Sequence, residues 1–307
     1  MLEASMLSPL LLAAARSGRM RDVITSVPLT RGVVDRFVAG DDLDAALEAV
    51  RELRGGGLEV TLDHLGEDTR EPAQARATRD AYLRLFDAFG EQGLAGGSDA
   101  SVKLSALGQA LPGDLALDHA REICSAAGRA GMTVTLDMED HTTVDSTLEV
   151  LGKLRVDFPW VGVAVQAMLR RTDGDLRDLV GEGSRVRLVK GAYAEPASVA
   201  YQSRHEVDRA YVRALRRLMR GDGYPMVASH DPRIIEIALT LAAERSPSSY
   251  EFQMLYGIRA AEQERLAQGH RMRVYVPYGA DWYGYFMRRL AERPANLAFF
   301  LRSFVSR

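Results

Sequence analysis

Val186-Arg187-Leu188-Val189-Lys190 is a short β-rich run that ends at Gly191, and a long helical pattern follows it over residues 197–220. Such a pair reads as one βα unit of a parallel sheet. The same pairing recurs on both sides of it. Upstream lie Leu58-Glu59-Val60-Thr61-Leu62, Ser101-Val102-Lys103-Leu104-Ser105, Thr133-Val134-Thr135-Leu136-Asp137 and Val161-Gly162-Val163-Ala164-Val165-Gln166. Helical patterns follow these near 72–92, 114–130, 143–156 and 175–180; in the first of them Ala81, Leu85 and Phe89 fall at helical spacing. Downstream lie Met226-Val227-Ala228-Ser229, Tyr250-Glu251-Phe252-Gln253-Met254-Leu255 and Met272-Arg273-Val274-Tyr275-Val276. Their helices fall near 233–244 and 260–267, and a last one begins at Trp282 and must stop near Arg293, because Pro294 follows.

Eight strand–helix pairs in about 235 residues give the cadence of a (β/α)8 barrel, an α/β fold. Strands buried on both faces should read as near-continuous apolar runs, and these do. A doubly wound sheet is the runner-up, but it usually has fewer strands, and neither a G-x-G-x-x-G fingerprint nor a P-loop occurs. Residues 1–56 carry no strand pattern and read as an N-terminal helical arm; 57–296 read as the barrel and 297–307 as a C-terminal helix. Neither an internal repeat nor a low-complexity tract is visible.

The 307 residues are 47% hydrophobic and 26% charged, with a net charge of -3, an ordinary globular balance. Near-neutrality argues against a nucleic-acid footprint and against a polybasic membrane patch. The single cysteine, Cys124, excludes an intrachain disulfide framework and points to a reducing, cytoplasmic compartment; within its helical stretch it reads as a buried structural thiol. The apolar stretch at residues 6–15 is interrupted by Pro9, lacks a basic leader region and is short of the ~20 residues that span a bilayer. Only three lysines occur among 39 basic residues, and two of them, Lys103 and Lys190, fall inside strand-like runs.

Active sites of such barrels sit at the C-terminal ends of the strands. The polar residues expected there are Asp63, His64, Lys103, Asp137 through His141, Gln166, Arg187, Lys190, His230, Asp231, Gln253 and Tyr275. Burying charge among barrel strands is costly unless a partner compensates it, so Lys103, Arg187 and Lys190 call for acidic neighbours or an anionic ligand. Internal salt bridges, Lys103 with Asp137 for example, are the plain explanation for any one of them; three cations converging on one rim favour a ligand. The last helix adds Tyr285-x-x-Arg288-Arg289-x-x-Glu292, spaced to share one face. A surface helix with ion pairs would be the bland reading. Its Trp282, Tyr283, Tyr285, Phe286 and Met287 indicate instead a packed helix whose two arginines can clamp a carboxylate. Two other chemistries compete. Asp63, His64, Asp137, Glu139, His141, His230 and Asp231 could ligate a metal, although no H-x-H on the first strand and no H-E-x-x-H supports it. Lys190 or Lys103 could form an aldolase-type Schiff base if burial or cationic neighbours depressed its pKa.

Val102-Lys103-Leu104-Ser105, Leu136-Asp137-Met138-Glu139, Arg187-Leu188-Val189-Lys190-Gly191-Ala192-Tyr193, Ser229-His230-Asp231, Phe252-Gln253-Met254-Leu255-Tyr256-Gly257 and the Tyr285 to Glu292 segment occur in order from about residue 58 to 300. In combination they resemble the monofunctional bacterial proline dehydrogenases. The resemblance implies a distorted barrel that binds FAD without a Rossmann domain and oxidises L-proline to Δ1-pyrroline-5-carboxylate by hydride transfer to flavin N5. It implies that Lys103, Arg288 and Arg289 hold the substrate carboxylate, with Tyr285 beside them and the last helix lying across the barrel mouth. It further implies that Asp137 orients the cations, and that Tyr275 and Leu255 pack against the pyrrolidine ring, the tyrosine disfavouring hydroxyproline. Gln166, Arg187, Lys190, Gly191, Ala192, Tyr193, His230, Gln253, Arg289 and Glu292 would contact or enclose the flavin. Asp231, which stands where asparagine is often found, would be a further flavin contact. A membrane quinone is the implied electron acceptor, and membrane contact would then be peripheral. The apolar residues Phe299, Phe300, Leu301, Phe304 and Val305 are a candidate for that contact, with packing on the barrel as the more ordinary reading of such a helix. A separate pyrroline-5-carboxylate dehydrogenase is the implied downstream enzyme.

Overall fold

Two-residue alternation runs through every strand of the structure, a computed structural model that describes residues 34–292. The strands are β1 (Glu59–His64), β2 (Asp99–Val102), β3 (Thr133–Leu136), β4 (Gly162–Gln166), β5 (Arg185–Val189), β6 (Tyr224–Ala228), β7 (Glu251–Leu255) and β8 (Met272–Tyr278). Each pairs in parallel with its sequence neighbours, and β8 closes the ring on β1 with Val60 opposite Val274 and Asp63 opposite Pro277. The expected (β/α)8 barrel is thus the observed fold.

The expectation of near-continuous apolar strands is corrected. The outward face is apolar: Val60, Leu62, Val134, Leu188, Phe252 and Val274 are buried in one core with the covering helices. The inward face is mainly polar, with Met226 set among its charged groups beside Arg185. Arg187 on β5 reaches Thr61 on β1 and Ser101 on β2, a span that only the barrel interior permits. Because successive side chains point to opposite faces, helices covering one face leave the other to be filled by groups that satisfy one another across the barrel.

The helices are α1 (Leu43–Gly55), α2 (Pro72–Glu91), α3 (Leu115–Ala130), α4 (Val144–Arg155), α5 (Thr172–Asp175), α6 (Arg204–Arg220), α7 (Pro232–Ala242), α8 (Ala260–Ala267) and α9 (Trp282–Glu292). Two of the helices, and two strand ends, differ from expectation. Helix α5 is a single turn at the start of its connection, not a helix over 175–180. Thr172 Oγ1 donates to Gln166 O at 2.6 Å and Arg171 clasps Asp175, which nucleates the turn directly behind β4. Helix α6 begins at Arg204 rather than 197, where Ser203 and Glu206 form a capping box. Strand β2 ends at Val102 and β5 at Val189, so Lys103 and Lys190 are the first residues beyond their strands rather than inside them.

Helix α9 is fixed by a second apolar cluster. Trp282, Tyr283, Tyr285, Phe286 and Met287 pack with Val34, Phe37, Val38 and Leu65, and Tyr275 and Ile258 lean on the same cluster. The segment before α1 runs along the end of β8, with Ala39 N–H on Pro277 O at 2.8 Å and Gly279 N–H on Gly40 O at 2.9 Å. Gly257 (φ +69°) makes room for it: a Cβ there would lie 1.7 Å from Arg36 O. Most of the expected N-terminal arm and all of the expected C-terminal helix lie outside the described residues.

Candidate active site

The C-terminal ends of β1, β2 and β3 bring Asp63, Lys103 and Asp137 together. Lys103 Nζ sits 2.6 Å from Asp63 Oδ1 and 3.6 Å from Asp137 Oδ2, so its main partner is Asp63 and not the Asp137 expected from sequence. Burial pulls the Lys103 pKa down, but the two carboxylates outweigh it and leave the ammonium more basic than usual. Asp137 takes hydrogen bonds from Ser101 Oγ (2.7 Å), Arg187 Nη1 (2.7 Å) and Tyr275 Oη (2.8 Å). Burial works against its charge, yet Lys103 and Arg187 hold its pKa below the ordinary carboxylate value.

Arg187 lies one layer deeper. It makes five hydrogen bonds: Nε to Gln253 Oε1 (2.7 Å), Nη1 to Ser101 and Asp137, and Nη2 to Thr61 and Asp99. Its guanidinium also lies 5.4 Å from the Tyr275 ring centroid, within cation–π range. A guanidinium held at five points has little freedom, so its charge is pre-placed beneath the mouth.

Helix α9 delivers the arginine pair. Arg288 is bound bidentately by Glu67, at 2.7 and 3.0 Å, in the loop after β1. Burial lowers and Glu67 raises the Arg288 pKa, with a net rise. Tyr275, which donates to Asp137, packs on the apolar cluster of α9, so the helix lies beside the same mouth as Lys103. Arg289 lies 5.0 Å from the ring of Tyr285, one turn earlier on the helix. The Glu292 side chain lies outside the described residues. Glu67 is the contact that sequence reasoning missed, since a lone loop acid carries no spacing signal.

The opposite arc, over β4 to β7, gathers the residues implied to face a flavin. Gln166 Nε2 donates to Glu139 O at 2.6 Å. Lys190 is held by Asp208 and, at 2.9 Å, by Asp231; Asp231 also caps α7 and pairs with Arg233. Gly191 has φ +109°, and a Cβ there would strike Met168 Sδ at 2.4 Å, so glycine is required for this backbone to pass. Ala192 and Tyr193 continue that loop, half-buried. Leu255 N–H donates to His230 Nε2 at 2.9 Å, which places the imidazole proton on Nδ1. Gln253 lies inside the barrel and Leu255 ends β7. The donor set suits a large polar cofactor: an amide, a cation, an imidazole and a glycine-shaped backbone form one contiguous arc.

Glu139 is buried at the end of the β3 connection, where Ser105 donates from N (3.1 Å) and from Oγ (2.6 Å). Burial raises its pKa to about 7, against the pull of Ser105 and Lys103. The metal alternative finds no support: among the described residues no group of three or more His, Cys, Asp or Glu side chains could hold an ion. The Schiff-base alternative needs a lysine of depressed pKa, and Lys103 is shifted the other way.

A (β/α)8 barrel with fixed cations and polar side chains gathered at its C-terminal mouth has the form of an enzyme active site. The family model described as proline dehydrogenase matches residues 46–302. Proline dehydrogenase 1 of Bacillus subtilis is 40% identical over 281 residues, covering 91% of this chain and 92% of that protein. The proline dehydrogenase of Deinococcus radiodurans is 42% identical over 275 residues, covering 87% and 88%. Among solved structures, proline utilization A from Bdellovibrio bacteriovorus is similar, with 26% identity and a TM-score of 0.78; the match covers 85% of this chain and 32% of that longer one. The chain belongs to the proline dehydrogenase family. The aldolase reading is not favoured.

Proposed function

We propose that this chain oxidises L-proline to Δ1-pyrroline-5-carboxylate with FAD held along the β4–β7 arc, and that a membrane quinone takes the electrons onward. The observation that carries this reading is the convergence of Lys103 and the arginine-bearing helix α9 on one mouth, joined through Tyr275 and Asp137. The substrate is a small zwitterion, so its carboxylate needs cations. Lys103, Arg288 and Arg289 hold it, and Tyr275, Leu255 and Tyr285 enclose the ring. Asp137 keeps Lys103 and Arg187 in place through the contacts described above. Gln166, Arg187, Lys190, Gly191, Ala192, Tyr193, His230, Gln253 and Glu292 enclose the flavin. Asp231 acts through Lys190 rather than on the cofactor, since its carboxylate is already committed to Lys190, Arg233 and the α7 cap.

FAD, when bound, accepts the hydride from the substrate's C5. The protein's own work is placement and electrostatics: the carboxylate clamp sets the distance, and Arg187 keeps positive charge where reduction adds negative charge. We read the barrel, within residues 57–296, as the catalytic domain, and any membrane contact as peripheral. No helix among the described residues is long and apolar enough to cross a membrane. The cytoplasm is the proposed compartment, and a separate pyrroline-5-carboxylate dehydrogenase consumes the product.

Purified protein is expected to be yellow, to bleach on addition of L-proline and to reduce a quinone analogue. Arg288→Ala is expected to raise KM for proline about 10- to 100-fold, the worth of one charge-assisted hydrogen bond, while flavin content holds. A protein that stays colourless after reconstitution with FAD overturns the reading.

A further inference from the structure

Gln253 stands in the barrel interior between two charges of opposite sign. Its Oε1 accepts from Arg187 Nε at 2.7 Å, and its Nε2 donates to Glu251 Oε1 at 2.5 Å. A primary amide has one accepting and one donating end, so the arrangement has a direction. Turned over, the NH2 group would face another N–H donor, and the carbonyl oxygen would face a carboxylate. Glu251 enforces the direction as long as it is ionised. Arg273 grips both of its oxygens, at 2.7 and 2.9 Å, and Tyr224 Oη donates to one of them at 3.0 Å. Burial opposes the Glu251 charge, but Arg273 dominates and brings its pKa to about 2. Arg273 is itself pinned to backbone, with Nη1 on Val60 O (2.8 Å) and Gly97 O (2.7 Å). A chain of oriented links therefore runs from the strand starts of β1 and β2 up to Arg187, and from there to Asp137 and Tyr275 at the mouth. Glu251, Gln253, Arg273 and Arg187 are each at most 4% exposed, so water offers no substitute partner if one link turns.

We propose that Glu251, at the far end of the barrel from the mouth, is a positioning residue for proline oxidation: through the Gln253 amide it fixes where Arg187 presents its charge. The inference rests on the reading above, in which Arg187 faces the flavin. A charge that must be in place before the reaction loses its effect when it reorients, and pre-placement of this kind carries a large share of catalysis.

The test uses the full chain loaded with FAD. Glu251→Gln keeps the side-chain size and removes the charge that orders the amide. It is expected to lower kcat about tenfold, to leave KM for proline within about threefold, and to move the flavin midpoint potential to a more negative value. In an Arg187→Lys background the same change is expected to add little, because both act on one interaction. A purely structural role would lower the melting temperature and flavin occupancy, with unchanged potential and unchanged kcat per bound flavin; that result, or full additivity with Arg187→Lys, overturns the proposal. Should Glu251→Gln fail to fold, Tyr224→Phe removes one donor and leaves the charge. A smaller shift of potential in the same direction is then expected, and none overturns the proposal. Wild-type enzyme whose flavin proline does not reduce breaks the functional reading instead.

Discussion

The Arg273–Glu251 cluster at the base of the barrel interior and the mouth above it use the same residue types and differ in how completely those residues are satisfied. At the base, Arg273 makes five hydrogen bonds, to Glu59, Glu251 and two carbonyl oxygens. Glu251 and Arg273 are almost fully buried, and neither side chain has a buried polar atom left without a hydrogen bond. At the mouth, Asp63 Oδ2 is buried without a hydrogen-bond partner, and Arg288 is held by a carboxylate on a loop side chain that is 31% exposed. A saturated network excludes ligands, because every donor and acceptor is already in use. An incompletely satisfied one retains interaction energy for whatever enters. The same arginine–glutamate chemistry is thereby closed to ligands at one end and, on the function proposed above, open to one at the other.

The largest expected effect breaks the base. Arg273→Met leaves Glu251 and Glu59 without their cation, and loss of one partner from a buried network costs about 3–5 kcal/mol. Urea unfolding should show that loss. A change below about 1 kcal/mol would mean that the base is not the clamp its geometry suggests.

A middle-sized effect tests the mouth by pH. Glu139 is protonated more readily in the folded state, with a pKa of about 7, than in the unfolded chain, where 4.5 is usual. The carboxyl therefore favours the fold most below its unfolded pKa, and that contribution is lost as pH rises through 7. Glu139→Gln should be more stable than wild type above pH 7, by about 2–3 kcal/mol, with the gap closing toward pH 4. A gap that does not change with pH would remove Glu139 from the titrating groups of the mouth.

The smallest effect sharpens the contrast. Glu67 competes with an incoming carboxylate for Arg288, and their pair is only partly shielded from water. Glu67→Gln is expected to lower KM for proline by about two- to fivefold and to change stability by less than about 1 kcal/mol. A higher KM would show that Glu67 orients Arg288 for the substrate rather than withholding it.

The candidate site was legible where chemistry is unusual for its place. Lys103, Arg187 and Asp137 are charges set in strand-like runs, and the aromatic helix with Arg288 and Arg289 is too apolar for a surface. Glu251 and Arg273 are equally visible, but reading their strands as continuously apolar hides them. The period of two that separates Glu251, Gln253 and Leu255 from Phe252 and Met254 was the signal that would have turned them inward. Glu67, Asp99 and Ser101 offered less: an acid in a loop, and two polar residues in a short strand, whose partners stand far away in sequence.

The amino-acid sequence by itself determined the count and order of strands and helices, and hence the barrel, because hydrophobic period and glycine or proline punctuation are local properties of the chain. It also placed the cations at strand ends. Only the tertiary structure decided which carboxylate each cation meets: Asp63 for Lys103, Glu67 for Arg288, and Asp99 and Asp137 for Arg187. Those pairings form across the closed ring, between residues up to 221 positions apart, and nothing in a local pattern specifies a partner at that distance.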